Sequence, residues 1–83
     1  MIDEVIEKLI KNQIDVEYVE VDMTGNHSSI TVVSRIFDDL SKVKRHQKIY
    51  ECINEKIVSG EIHAVNILSF SPNEWKEKKL KYK

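Results

Sequence analysis

The sequence holds one cysteine, one proline, one tryptophan and two glycines among 83 residues. A lone cysteine excludes an internal disulfide and a thiolate cage for a structural metal, which needs several such ligands. So little glycine and proline argues against a disordered or repetitive chain. No apolar run approaches the ~18 residues of a membrane-spanning helix, and no membrane partner is expected. The opening Met1-Ile2-Asp3-Glu4 is acidic, unlike a secretory signal or transit peptide, which points to a cytoplasmic location. Catalytic signatures are missing too: there is no nucleophile elbow, no phosphate loop and no HExxH spacing. The expectation is a protein that is not an enzyme. With a formal net charge of −1 the chain has no global field to draw in nucleic acid.

Apolar residues at 41% and charged ones at 33% are ordinary for a globular protein, and the length suits a single domain spanning residues 1–83. A chain of this size buries only about 60–65% of its unfolded surface, so its core has little to spare. Ile2, Val5, Ile6, Leu9 and Ile10 fall at helical spacing, with Asp3 and Glu4 at the positive end and Lys8 and Lys11 at the negative end. Asp15 to Met23 is β-branched and aromatic, as is Ile30 to Ser34. The turn signal Thr24-Gly25-Asn26-His27-Ser28 joins them into a hairpin. A short connection follows, in which Phe37 and Leu40 are expected to plug the core, and Ser41 can cap the next helix.

That helix is the longest periodic segment, with Val43, Tyr50, Ile53 and Ile57 predicted on its buried face and Gly60 supplying the left-handed turn after it. Ala64 to Phe70 reads as a third strand. Ser71-Pro72-Asn73-Glu74 has capping-box spacing, so a final helix starts there, with Trp75 expected in the core. The order is helix, strand, strand, short turn, long helix, strand, helix. A hairpin plus a right-handed crossover predicts an α+β fold, a three-stranded mixed sheet with helices on one face. The other face is left open. Leu68 and Phe70, or Val65 and Ile67, then form a candidate contact patch, and the free protein is expected as a monomer or weak homodimer.

Three histidines invite a metal reading. His27 stands on the hairpin tip and His63 at a strand start, where imidazoles can point outward, whereas His46 lies among basic residues on the long helix. Two imidazoles cannot hold a metal unaided, so any site is completed by another molecule. Cys52, inside the long helix with no CxxC partner, reads as a small buried hydrophobe. Lysines and arginine gather at Lys42, Lys44, Arg45 and Lys48 and again at Lys76, Lys78, Lys79, Lys81 and Lys83. Such runs are usually solvated faces, and phosphate binding is the sharper alternative. Gly25 and Gly60 are too far apart to make the glycine-rich clamp by which KH domains grip a nucleic-acid backbone.

Gly25-Asn26-His27, Val32-Val33-Ser34-x-x-Phe37, Val43-Lys44-Arg45-His46-Gln47-x-x-Tyr50, Gly60-x-Ile62-His63-Ala64 and Ser71-Pro72-Asn73-Glu74-Trp75 resemble, in that order and spacing, the BolA-like family. The resemblance runs from about residue 16 to 76. The histidine in the hairpin loop is similar to the compact bacterial branch implicated in acid resistance and iron handling. What the resemblance implies is a class II KH-like fold and a role as a non-catalytic adaptor in iron–sulfur trafficking or iron and redox sensing. Family members pair with a monothiol glutaredoxin and share a [2Fe-2S] cluster, the glutaredoxin bringing its own cysteine and a glutathione thiolate. The positions matching the family's ligands are His63 and His27, and no cofactor is implied for the isolated chain. Some members also act as DNA-binding transcription regulators in stress responses, for which Lys42, Lys44, Arg45 and Lys48 are the implied contacts. The loop departs from the usual Asp-Gly-Ser-His-aromatic pattern, and Asp39 replaces a usual glycine.

Overall fold

The structure is a computed structural model that describes residues 2–25, 27–62 and 64–81. Helix α1 (Ile2–Gln13) leads into strands β1 (Tyr18–Thr24) and β2 (His27–Val33). A 3-10 turn (Arg35–Asp39), helix α2 (Lys42–Val58), strand β3 (Ala64–Phe70) and helix α3 (Pro72–Lys81) complete the order. This is the α+β order expected from the sequence. The sheet runs β1-β2-β3, antiparallel across the hairpin and parallel across the crossover. A parallel neighbour requires such a crossover, and α2 supplies it. Among the described residues no helix is long and apolar enough to cross a membrane.

Strand alternation sorts the side chains. Val19, Ile30, Val32 and Ile67 point to one face, where they meet Ile6 and Ile10 of α1, Ile49, Cys52 and Ile53 of α2, and Phe37 from the turn. Each fully buried isoleucine contributes about 1.5–3 kcal/mol relative to exposure, so this cluster supplies much of what holds the sheet to α1 and α2. Phe37 plugs the core as expected, and Leu40 packs at its edge. The opposite face presents Thr24, His27 and Ala64 in one register row and Tyr18, Val33 and Phe70 in the row at the other end.

Two expectations are corrected. The buried side of α2 is Arg45, Ile49, Cys52 and Ile53, with Ile57 partly covered, whereas Val43 and Tyr50 face outward. The rotation follows from burying a charge that the hydrophobic pattern alone discards. Arg45 is 5% exposed, its Nε donates to the Leu40 carbonyl at 3.0 Å, and its Nη1 donates to Glu74 Oε1 at 2.7 Å. Its guanidinium also lies 5.8 Å from the centre of the Phe37 ring.

Trp75, in turn, is half-buried rather than core. It stacks on Tyr18 (5.3 Å, 23°) and against Phe70 (5.3 Å, 46°), both on the face that α1 and α2 leave open. Val33 lies between them in register and is buried, yet stands apart from the main cluster. The start of α3 therefore covers one end of that face, while α1 and α2 keep the expected side.

The capping box at α3 forms as its spacing demands: the Ser71 N–H donates to Glu74 Oε1 at 2.8 Å and the Glu74 N–H to Ser71 Oγ at 3.2 Å. Ser41 caps α2 through the Lys44 N–H at 3.3 Å. Arg45→Met keeps the aliphatic stem and removes the guanidinium, and is expected to cost about 1–3 kcal/mol, read as a lower urea midpoint at unchanged slope.

The Glu74 carboxyl is held below the usual carboxylate range, first by the Ser71 N–H and then by Arg45. A carboxylate with a depressed folded pKa stabilises above its unfolded value of about 4.3 and loses that contribution as pH falls through the folded value. The stability difference between wild type and Glu74→Gln should therefore hold steady near neutrality and shrink in acid. Urea titrations at pH near neutral and well below 4 check this; an unchanged difference in acid would show that the carboxylate charge contributes nothing.

Candidate functional site

Thr24 pairs with His27 across the hairpin, and Gly25 takes the left-handed φ of +59° that such a tight connection needs. Asn26 itself is outside the described residues. His27 is thereby the first residue of β2. Its side chain alternates with buried Ser28 and so belongs to the open face, where it is exposed. Its partner across the parallel pair is Ala64, the residue that follows His63 in the chain.

His63 is also outside the described residues, and its neighbours are what the structure places. On one side Ile62 is buried at 2% exposure, and its N–H donates to the Lys56 carbonyl at 3.1 Å. Gly60, at φ +84°, turns the chain there as the sequence requires, its N–H reaching the Ile57 carbonyl at 3.1 Å. Glu61 braces the same turn, with Lys56 Nζ at 3.2 Å and the Ser59 hydroxyl donating at 3.0 Å, and these contacts hold its carboxyl below the usual range. On the other side Ala64 enters the sheet. The backbone is thus fixed immediately before and after position 63.

The donor set at this end is small. Among the described residues no group of three or more histidine, cysteine or acidic side chains could hold a metal ion. Cys52 is buried, its Sγ donates to the Lys48 carbonyl at 3.3 Å, and burial raises its pKa, all of which disfavour the thiolate. Among the described residues this end of the sheet supplies an imidazole, from His27, but not a complete coordination shell.

The basic helix start divides. Lys42, Lys44 and Lys48 are exposed, but Arg45 is not, because its guanidinium is committed to Glu74 and Leu40. His46 is half-buried and lines, with Lys42 and β3 residues Ile67 to Phe70, a groove of about 220 Å³. Leu68 is exposed on the open face, but Phe70 is covered by Trp75 and by Lys78, whose Nζ lies 4.6 Å from the Phe70 ring centre. The apolar contact patch is smaller than expected. Nothing local in the sequence marks Tyr18, yet its ring carries Trp75, and its hydroxyl donates to Glu20, which raises its pKa.

Residues 10–74 match the model of the BolA family, described as BolA-like protein. The Acid stress protein IbaG of Escherichia coli (strain K12) is 34% identical over 76 residues, covering 90% of each chain. The DNA-binding transcriptional regulator BolA of Haemophilus influenzae is 29% identical over 85 residues, covering 90% of this chain and 82% of that one. Among solved structures, the BolA domain of SufE1 from Arabidopsis thaliana superposes with a TM-score of 0.76 at 27% identity, over 87% of this chain and 93% of that one. With its sequence matching the family model over residues 10–74 and its fold shared with a solved BolA domain, the chain belongs to the BolA-like family.

Proposed function

We propose that this protein is a non-catalytic adaptor that pairs with a monothiol glutaredoxin and shares a [2Fe-2S] cluster with it, in iron–sulfur trafficking or iron and redox sensing. The observation that supports the reading is the parallel register, in which exposed His27 sits opposite Ala64, the residue that follows His63 in the chain. The donor set fits half a cluster site. Two imidazoles need two further ligands, and a partner bringing cysteine and glutathione thiolates completes four. A bound cluster supplies one-electron chemistry, and imidazole in place of thiolate raises its potential, as in Rieske centres. The chain's own part is to hold its ligands on rigid backbone. Gly25 shapes the turn that leads into His27, and Gly60 and the Ile62 N–H order the chain up to residue 62.

Titrating the protein into cluster-loaded monothiol glutaredoxin, followed by visible absorption and circular dichroism, should give a spectral change with a one-to-one endpoint. His63→Ala should abolish the change and His27→Ala should alter its shape or weaken it. No change with wild type, or the same response in His63→Ala, sinks the mechanism.

A second reading, a DNA-binding regulator of stress responses, is favoured by the exposure of Lys42, Lys44 and Lys48 on one helix and by the name of the Haemophilus relative. Among the described residues no base-reading element accompanies these lysines, so binding should be weak and sequence-tolerant. Replacing Lys44 and Lys48 by glutamine should reduce the slope of log affinity against log salt by about 0.9 for each phosphate no longer neutralised. An unchanged slope in fluorescence anisotropy removes these residues from any role in holding DNA.

A further inference from the structure

Three of the exposed large apolar side chains, Val43 (67%), Tyr50 (42%) and Val58 (78%), lie on α2. At about 100° per residue they share an arc of roughly 80° with Gln47 and Asn54, on the side away from buried Ile49 and Cys52. That stripe carries no charge, although a third of the chain is charged. Beside it, on one flank, stand Lys44 and Lys48 in the first half of the helix and Glu51 and Glu55 in the second. All four are exposed.

We infer that this outer face of α2 binds a second copy of itself, antiparallel, about a twofold axis passing between Tyr50 and Glu51. The stripe is self-complementary under that operation. Val43 meets Val58 of the second copy, Gln47 meets Asn54, and the two Tyr50 rings lie against each other at the axis. The flank charges complement as well: Lys44 comes within a turn of Glu55 of the second copy, and Lys48 within a turn of Glu51. Each such pair occurs twice. Lys42 and His46, on the other flank, meet no basic group of the second copy. A parallel arrangement would instead set this flank against the opposite one, with Lys44 beside Lys42 and His46 of the second copy and Glu51 and Glu55 beside Ile53 and Ile57, so the flank selects the antiparallel one, as flanking charges do in coiled coils. The contact strip is only about 25 Å long. It buries less than the roughly 1,200 Å² of stable interfaces, so the dimer is a weak, concentration-dependent one. The inference is independent of the cluster reading, since the His27 end of the sheet stays free.

Analytical ultracentrifugation of the full chain from about 10 µM to about 1 mM tests it. Wild type should rise from the 9.7 kDa monomer toward twice that mass. Tyr50→Glu should remain monomeric, with far-ultraviolet circular dichroism confirming an intact fold. The double variants Lys44→Glu/Lys48→Glu and Glu51→Lys/Glu55→Lys should each be monomeric alone and associate when mixed in equal amounts. A wild type that stays monomeric throughout overturns the inference. So do variants that dimerise like wild type, which would point to the β3 edge, and a mixture that fails to associate.

Discussion

The ion pair between Arg45 and Glu74 is the constraint on which the rest of the structure depends. Burying a guanidinium is expensive unless its donors are met, and here they are met from two directions, the Leu40 carbonyl before α2 and the carboxylate that caps α3. Glu74 serves two purposes, since the oxygen that accepts from Arg45 also accepts the Ser71 N–H. The pair therefore ties the entry of α2 to the entry of α3. Once Arg45 is turned inward, the rotation of α2 about its axis is settled: Ile49, Cys52 and Ile53 must line the core, and Val43, Tyr50 and Val58 must face away. The same link holds α3 where Trp75 can close over Tyr18, Val33 and Phe70.

The sheet divides its duties by end. One end of its open face is sealed by aromatic rings, while the other, at the His27 row, is left polar and accessible. Rigid scaffold beside an accessible imidazole is what a shared coordination site asks of a protein: the ligand must be positioned in advance, yet a partner must be able to reach it. The same helix that builds the crossover presents lysines outward, so phosphate binding and self-association at α2 would compete for Lys44 and Lys48.

Much of the fold can be read along the chain because its signals are local. The apolar spacing of α1, the left-handed glycines at 25 and 60, and the Ser71-to-Glu74 box each involve residues within a turn or two of one another. What stays hidden is non-local. Arg45 looks like a solvated cation because its partner lies 29 positions away, and without that partner Val43 and Tyr50 make the better apolar face. Trp75 looks like core because nothing in its own helix reveals that Tyr18, at the far edge of the sheet, offers a ring to stack on. β1 begins at Tyr18 rather than Asp15, since alternation there is broken by Val16, which packs on the core from outside the strand. At the candidate site, the motif leads to His27, and only the register shows that Ala64 lies beside it.

Parallel pairing also dictates when that end of the sheet is finished. As the chain leaves the ribosome, β1 and β2 emerge early and all of α2 must follow before β3 appears. A lone hairpin is marginal in water, and its third strand arrives only after a long loop has closed. A chain cut short within α2 carries His27 but neither the strand beside it nor Glu74 to satisfy Arg45. Such a product lacks both the third strand of the sheet and the carboxylate that meets Arg45, so it cannot form the fold of the full chain. The order of the elements thus makes the strand beside His27 a late arrival, followed only by the helix that brings Glu74 to Arg45.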